Sequence, residues 1–253
     1  NDGGPANGGN EEDNLTRRSG SPLGLLAPTA DFSDDLEPHA EPGYSFFSTR
    51  EAGNWQVLND PTAHSTTHAW VSLDDQPGLI LAEKDDRLTL PALSLTSTSV
   101  LTFYHNFDFA QFPLAAPAEA YQSGGVLEIS ADGAAWIDLG PYITTGGYNG
   151  VIDPAAMNPL KGRSAWVGSS DVVPGARTDS MTQVVVNLGA AIQTEFNATT
   201  LPGARIRFRL GGTFQILIDG TRGIGWGVDD IRVSGLQSPG AWTNAPAAPP
   251  CFI

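Results

Sequence analysis

The chain has 253 residues and a formal charge of −15, from 13 Lys and Arg against 28 Asp and Glu. This length is enough to bury a substantial core, and so strong a negative charge would repel nucleic acid, which excludes a nucleic-acid partner. Only 16% of the residues are charged, whereas 29 are Gly and 19 are Pro. That composition supplies turns and few helix formers, so it indicates an all-β protein. No run approaches the roughly 18 apolar residues of a membrane-spanning helix, so no membrane insertion is predicted.

Composition also divides the chain into three parts. Residues 1–30 are rich in Gly, Asn, Pro and acids and poor in apolar residues, so we predict an extended N-terminal arm there. Residues 236–253 form a Pro-rich C-terminal tail, and residues 31–235 form one domain. The single cysteine, Cys251, has no partner within the chain. Scarce lysine, frequent Thr, Ser, Asn and Gly, and the acidic excess favour an extracellular or cell-surface location.

Within the domain, apolar residues recur with the period of two that is typical of β-strands. The predicted strands are Leu88–Leu90, Val100–Phe107, Gly125–Ser130, Trp136–Leu139, Ser164–Gly168, Met181–Leu188, Ala204–Leu210, Phe214–Ile218 and Val228–Val233. Asp132-Gly133 marks a hairpin turn between the third and fourth of them. Nine to eleven short strands predict an antiparallel two-sheet β-sandwich, a jelly roll, with extended terminal arms. No amphipathic helix is expected.

The last predicted strand carries an acid where a carboxylate is costly. Alternation places Asp229 on the same face as Ile231 and Val233, which are expected to point into the core. An ionised carboxylate out of water costs several kcal/mol unless a cation or a set of hydrogen-bond donors compensates it. An arginine such as Arg222 or Arg232 is one possible partner.

A calcium ion is the other possible partner, because Ca²⁺ binds carboxylate and carbonyl oxygens. The first and last strands of a sandwich commonly lie together, so further ligands are expected from the opening stretch of residues 31–37. Asp34 and Glu37 are the candidates there, together with Asp229. The sequence therefore predicts a structural Ca²⁺ site made by these three carboxylates.

Two further sets of residues are candidates for ligand binding. Arg205, Arg207 and Arg209 alternate with apolar residues and line one face of a strand. We expect them to pair with acids on neighbouring strands, with binding of an anionic sugar or phosphate as the alternative.

Tyrosines in Gly-rich loops form the second set. Tyr121, Tyr142 and Tyr148 lie in or beside such loops, where an exposed ring could stack on a glycan.

Catalytic motifs are absent from the sequence. It contains no Gly-x-Ser-x-Gly, Ser-x-x-Lys or His-Glu-x-x-His motif, no phosphate-binding loop and no dinucleotide fingerprint. Glu128 and Asp138 lie on the two strands of the predicted hairpin and could form a carboxylate pair of the kind that glycan hydrolases use. Exposed cross-strand polar pairs are ordinary, so we predict that the chain is not an enzyme.

Several motifs occur in an order that resembles a known family, the MAM-like, concanavalin A-type jelly-roll module. They are Tyr121-x-x-Gly124-Gly125-Val126-Leu127-Glu128-Ile129-Ser130-x-Asp132-Gly133-x-x-Trp136, Gly147-Tyr148-Asn149-Gly150, Asn158-Pro159-Leu160-x-Gly162-Arg163-x-Ala165-Trp166 and Gly225-Trp226-Gly227-Val228-Asp229-Asp230-Ile231. Such modules accompany secreted bacterial proteins, including immune-inhibitor-A-type metallopeptidases. The resemblance implies a non-catalytic accessory or adhesion module that is often stabilised by calcium, which agrees with Asp229 and residues 34–37 as metal ligands. The chain departs from the pattern at Gly227 and at Gln122-Ser123, where a bulky residue and an acid are usual.

The sequence as a whole predicts an extracellular, calcium-stabilised jelly roll that binds or assembles rather than catalyses. Its expected partners are other protein chains, as in a surface structure or filament where the arm lies along the next copy and adds to a sheet edge. A carbohydrate-binding module that uses the loop aromatics and a glycan-active enzyme are the alternatives.

Overall fold

A computed structural model describes residues 31–37, 43–49, 55–72, 83–109, 111–112, 120–170, 180–213 and 225–237. The predicted arm, the strand predicted at 214–218, Arg222 and Cys251 lie outside the described residues.

The described residues form seventeen strands and one α-helix. The strands are β1 Phe32–Asp34, β2 Ser45–Ser48, β3 Gln56–Asn59, β4 His68–Ser72, β5 Glu83–Thr89, β6 Leu93–Thr96, β7 Val100–Asp108, β8 Gln111–Phe112, β9 Ala120–Tyr121, β10 Gly124–Ser130, β11 Ile137–Asp138, β12 Ile143–Thr145, β13 Gly150–Val151, β14 Ser164–Val167, β15 Thr182–Asn187, β16 Thr200–Thr213 and β17 Gly225–Ser234. The helix is α1, Leu188–Glu195, and one 3₁₀ turn spans Gly140–Tyr142. The strand number exceeds the nine to eleven expected because many strands have only two to four residues.

Two antiparallel sheets face each other, which confirms the predicted β-sandwich. One sheet has seven strands in the order β12-β15-β7-β17-β4-β3, with β1 also paired to β17. The other has eight strands in the order β13-β14-β10-β16-β5-β2, with β11 on β10 and β6 on β16. The first and last strands lie together as expected, since Phe32 pairs with Val233.

The core lies between the sheets because each central strand presents alternate apolar side chains to it. Leu127 and Ile129 of β10 lie opposite Phe208 and Ile206 of β16, and all four are fully buried. Aromatic rings fill the middle of the sandwich and bridge the sheets. Trp226 of β17 lies 5.6 Å from Trp166 of β14 and 5.5 Å from Trp55, and Phe103 lies 4.9 Å from Phe208, measured between ring centroids.

A smaller apolar cluster lies outside the eight-stranded sheet, under the loop that joins β13 to β14. We call it the outer cluster, and its buried members are Val126, Ile152, Ala156, Leu160, Ala165 and Val167. Val126 belongs to it because successive residues of β10 point to opposite faces of the sheet. The loop therefore covers part of this outer face and brings Arg163 over the sheet.

Helix α1 contradicts the expectation that the chain has no amphipathic helix. The Asn187 side chain accepts a hydrogen bond from the Ala190 N–H and caps the first turn. Leu188, Ala191 and Ile192 are buried on one side. With only eight residues, the helix is too short to show several repeats of a 3.6-residue period, so the sequence pattern could not indicate it.

Candidate functional site

Strand β17 contains a bulge at the acid predicted to point inward. Its register with β7 shifts between Asp229 and Arg232, and Asp230 has a φ of +47°. Val228 and Ile231, three residues apart, are both core residues, so the alternation of faces is interrupted between them. The prediction that Asp229 shares the core face of Ile231 is therefore wrong, because a bulge changes which face each residue occupies.

Asp229 is nevertheless fully buried, because the turn between β3 and β4 covers it. Its carboxylate accepts hydrogen bonds from the Ser65 N–H at 2.9 Å, the Ser65 hydroxyl at 3.2 Å and the Asp230 N–H at 2.7 Å. Burial raises the pKa of the Asp229 carboxyl above its usual range, and the backbone donors partly oppose this shift. A set of N–H and O–H donors thus compensates the buried carboxylate.

The arginine alternative for Asp229 is wrong for Arg232. The Arg232 guanidinium bonds instead to the Asp31 carboxylate at 3.1 Å, and both side chains are largely exposed. Arg232 and Asp229 both lie on the outer face of β17, since Val228, Ile231 and Val233 are core residues, but the Arg232 guanidinium pairs with Asp31.

The other two predicted metal ligands lie at the same corner of the sandwich. Glu37 accepts hydrogen bonds from the Thr67 hydroxyl at 2.9 Å and from the His68 backbone and ring. Burial would raise the pKa of Glu37, but the His68 and Thr67 bonds outweigh it and hold that pKa below its usual value. Asp34, opposite Ile231 in the β1–β17 pair, accepts a hydrogen bond from the Leu36 N–H at 3.0 Å.

Two histidines contact this corner: His64 lies in the β3–β4 turn, and His68 is the first residue of β4. The His64 ring contacts the Asp230 carboxylate and stacks on Tyr104, with ring centroids 3.4 Å apart. His68 bonds to Glu37 at 3.1 Å. The two imidazoles therefore hold different carboxylates and do not converge on one point.

We call Asp34, Glu37, Asp229 and Asp230 the acidic corner. Its oxygens are of the kind that Ca²⁺ prefers, but each of these carboxylates already accepts a hydrogen bond from an N–H or O–H group or contacts a histidine ring. In the part of the chain that the structure describes, no three His, Cys, Asp or Glu residues are arranged to hold one metal ion. The described residues therefore do not form a ready calcium shell, and calcium stays a prediction.

The outer face of the eight-stranded sheet carries a network of ion pairs. Arg207 bonds to Glu128 at 2.6 Å and Arg209 to Asp85 at 2.8 Å, each pair reaching to a neighbouring strand. Four arginines and three acids are linked in this way, and we call them the arginine network: Arg87, Arg163, Arg207 and Arg209 with Asp85, Glu128 and Asp138. The predicted pairing with acids on neighbouring strands is thus observed for Arg207 and Arg209, which leaves these two guanidinium groups engaged within the fold.

Trp136 and Gly133, from the β10–β11 hairpin, lie beside two of the three β16 arginines. The Arg207 guanidinium also lies 3.8 Å from the centre of the Trp136 ring, a cation–π contact. Arg205 lies beside the hairpin turn at Gly133 and takes no part in the arginine network.

The carboxylate pair considered for catalysis lies inside this network. Glu128 and Asp138 are directly opposite in the β10–β11 hairpin, and Arg163 bonds to both. Burial would raise the pKa of Glu128, but Arg163 and Arg207 outweigh it and hold that pKa below its usual value. A glycosidase general acid needs the opposite shift. The geometry therefore gives this pair a structural role.

The loop tyrosines differ in how much of each ring is available. The Tyr148 hydroxyl accepts a bond from the Leu127 N–H at 2.9 Å and donates one to Asp138 at 2.9 Å, and its ring packs edge-on against Trp166. The expectation of a freely exposed Tyr148 ring is wrong because this network and the core hold it.

The other two tyrosines are partly buried. Tyr142 donates a hydrogen bond to Glu195, and Tyr121 packs on the outer cluster. Contact of any of the three tyrosines with a glycan stays a prediction.

Sequence reasoning missed a buried ion pair within β5, whose acid also forms a hydrogen bond to the opposite sheet. Lys84 and Asp86 are fully buried, with Nζ and Oδ2 3.3 Å apart. Asp86 also accepts hydrogen bonds from Ser48 of the eight-stranded sheet and Ser72 of the seven-stranded sheet. The charged run at residues 83–87, unusual for a strand, is the signal that could have indicated such pairing.

Fold and site together define a β-sandwich module. Most of the buried charged side chains described above form ion pairs with one another. No protein-family model and no curated protein matches the chain. Among solved structures it is similar to the K1 and K3 cleaved adhesin domains of Lys-gingipain from Porphyromonas gingivalis W83, at 16% and 15% identity and TM-scores of 0.44 and 0.41. The alignments cover 81% and 80% of this chain and 98% and 97% of those domains.

The K2 cleaved adhesin domain of Lys-gingipain is similar at 14% identity and a TM-score of 0.40, over 81% of this chain and 99% of that domain. The MAM-like resemblance has no family match behind it and stays an interpretation. No helix in the described ranges is long and apolar enough to cross a membrane.

Proposed function

We propose that the chain is a non-catalytic, extracellular binding and assembly module, part of a larger secreted or cell-surface structure. The observation that carries this proposal is the exposure of large apolar side chains at one edge of the eight-stranded sheet. The large hydrophobic side chains exposed among the described residues include Phe46 and Phe47, two consecutive residues of the edge strand β2, with 58% and 48% of their surfaces in solvent. Aromatic rings on a sheet edge favour contact with another polypeptide.

The ion pairs support the non-catalytic half of the proposal. Glu128, the most buried acid of the outer face, is held ionised by two arginines and cannot act as a general acid near neutral pH. The sequence offers no nucleophile motif to replace it.

Assembly through the N-terminal arm is tested by size-exclusion chromatography and negative-stain microscopy of the full chain beside a chain that lacks residues 1–29. Far-UV circular dichroism checks that both are folded. We expect the full chain to form larger species as its concentration rises and the shortened chain to remain monomeric. Unchanged assembly without the arm would refute an arm-mediated mechanism.

Calcium at the acidic corner is a separate proposal. Its support is the local charge: four carboxylates lie there, and the described basic groups that contact them are His64 and His68. A dication would offset that negative charge and stabilise the native state in proportion to its binding.

Thermal unfolding with excess Ca²⁺ and with a chelator tests the calcium proposal. We expect the chelator to lower the Tm by several degrees, as about 1–3 kcal/mol of linked binding would. Asp229→Asn should lose this difference, whereas the exposed Asp31→Asn should keep it. Equal Tm values for the unaltered chain in both conditions would show that the Ser65 and Asp230 donors alone compensate Asp229.

A further inference from the structure

Strand β2 forms one edge of the eight-stranded sheet. Among the described strands it pairs with β5 alone, and its sequence, Ser-Phe-Phe-Ser, has none of the Lys or Pro residues that usually protect an edge. Adjacent residues of a strand point to opposite faces, so Phe46 and Phe47 lie on the two sides of the sheet. The Arg87 guanidinium covers part of Phe47 at 4.6 Å, while Phe46 lies opposite Leu88 on the core side. Only a segment that runs along the edge contacts both rings at once.

The backbone of β2 is oriented to receive such a segment. The Thr49 N–H donates to the Asp85 carbonyl at 3.2 Å, in the same register that pairs Ser45 with Thr89. In an antiparallel ladder, alternate residues direct their N–H and C=O groups to the same neighbour. Ser45 and Phe47 therefore bond toward β5, and Phe46 directs its N–H and C=O away from β5, where a further strand would lie.

The N-terminal arm contains one segment suited to this edge. Leu23–Ala27, Leu-Gly-Leu-Leu-Ala, is the only apolar run within residues 1–30. Pro22 and Pro28 bound it, and because proline cannot donate to a ladder they limit a strand to these five residues. The run is about as long as the four residues of β2.

The arm also joins the domain beside this edge. The Phe32 ring, at the start of β1, lies 6.2 Å from the Tyr44 ring, and Tyr44 immediately precedes β2. Ala27 is four residues before Asp31, a reach of roughly 13 Å for extended chain, which can span the roughly 10 Å that separate two stacked sheets. An arm that enters at the Ser45 end runs antiparallel to β2.

We propose that Leu23–Ala27 pairs with β2 as an added antiparallel strand and covers Phe46 and Phe47. This inference rests on the proposed function, in which the arm makes the assembly contact, and it assigns the two surfaces of that contact. The short link lets the arm cover the edge of its own chain. The same pairing made by the arm of a neighbouring copy joins the copies by strand exchange.

Cysteine cross-linking of the full chain tests the pairing. Cys251→Ser removes the native thiol, and Leu25→Cys is combined with Phe46→Cys or Phe47→Cys, since the register decides which of the two is opposite. The matched control moves the arm cysteine to Leu15→Cys, in the same arm but outside the apolar run. We expect the Leu25 cysteine to form a disulfide at least about tenfold faster than the Leu15 cysteine, because pairing raises its effective concentration. Equal rates for the two positions would overturn the inference.

Non-reducing electrophoresis of the products separates this inference from the proposed function. Cross-linked dimers that increase with concentration support both. Cross-links confined to the monomer at every concentration support the pairing and refute arm-mediated assembly. Hydrogen exchange of the unmodified chain gives an independent check: the Phe46 amide should be protected, and Leu25→Asp should remove that protection while Leu15→Asp does not. A Phe46 amide that exchanges as in an unfolded peptide would refute the pairing.

Discussion

Replacing Glu128 with alanine is expected to lower the free energy of unfolding by about 3–5 kcal/mol, because it leaves buried guanidinium groups without their counter-charge. The Arg207 side chain is only 8% exposed and lies 2.6 Å from Glu128, and Arg163 and Arg209 also face this carboxylate. Urea unfolding followed by tryptophan fluorescence at pH 7 measures the loss.

Asp138→Asn is the matched control for this substitution. Asp138 shares Arg163 with Glu128, but its side chain is 32% exposed, so water replaces the lost charge and the expected cost is about 1 kcal/mol or less. If Glu128→Ala costs no more than Asp138→Asn, the network does not hold the outer face together.

Acid is expected to destabilise the fold through His105, a buried ring among Phe103, Phe107, Trp166 and Trp226. Burial lowers the pKa of His105 from 6.5 to about 3. The unfolded chain therefore takes up a proton at pH values where the folded chain does not. The stability that this group contributes is complete above pH 6.5 and is lost progressively as the pH falls toward 3, by about 2 kcal/mol between pH 6.5 and 4.5.

His105→Gln isolates this contribution, because glutamine does not titrate and can accept the hydrogen bond that Trp226 donates to the ring. Buried carboxyl groups also change the free energy of unfolding as the pH falls, some raising it and others lowering it. The raised pKa values of Asp86 and Asp229 add stability as the pH falls, whereas Glu128 and Asp85, whose pKa values are lowered, lose theirs below about pH 4.5. We therefore expect urea unfolding of His105→Gln to show a shallower loss of stability between pH 6.5 and 4.5. Identical slopes in the two proteins would mean that His105 is accessible to protons in the folded state.

The central strands could be predicted from the sequence because their pattern reflects burial directly. Residues 204–210 of β16 alternate apolar residues with Arg, and the β10–β11 hairpin follows from Asp132-Gly133, with Gly133 at a φ of +79°. The pairing of the first and last strands was also correctly predicted. Short elements such as α1 leave too few residues for a period to emerge.

The candidate site was less predictable because it depends on contacts between distant residues. The prediction of which face Asp229 occupies was wrong, because one extra residue in a bulge reverses the alternation of side chains along β17. Its partner Ser65 lies 164 positions away in the chain, and no local pattern marks that turn as its cover. Arg163 likewise reaches Glu128 only because the loop over the outer cluster carries it there.

Trp55, Trp166 and Trp226 pack together between the sheets, so their circular dichroism reports on the packing of the two sheets. Trp226 lies within 6 Å of both Trp55 and Trp166, and indole rings held in such fixed tertiary packing give a near-ultraviolet circular dichroism band. Trp226 and Trp166 belong to different sheets, so the band requires the two layers to be in register. A state that keeps its strands but lets the layers slide apart would lose this band while its far-ultraviolet spectrum stayed unchanged.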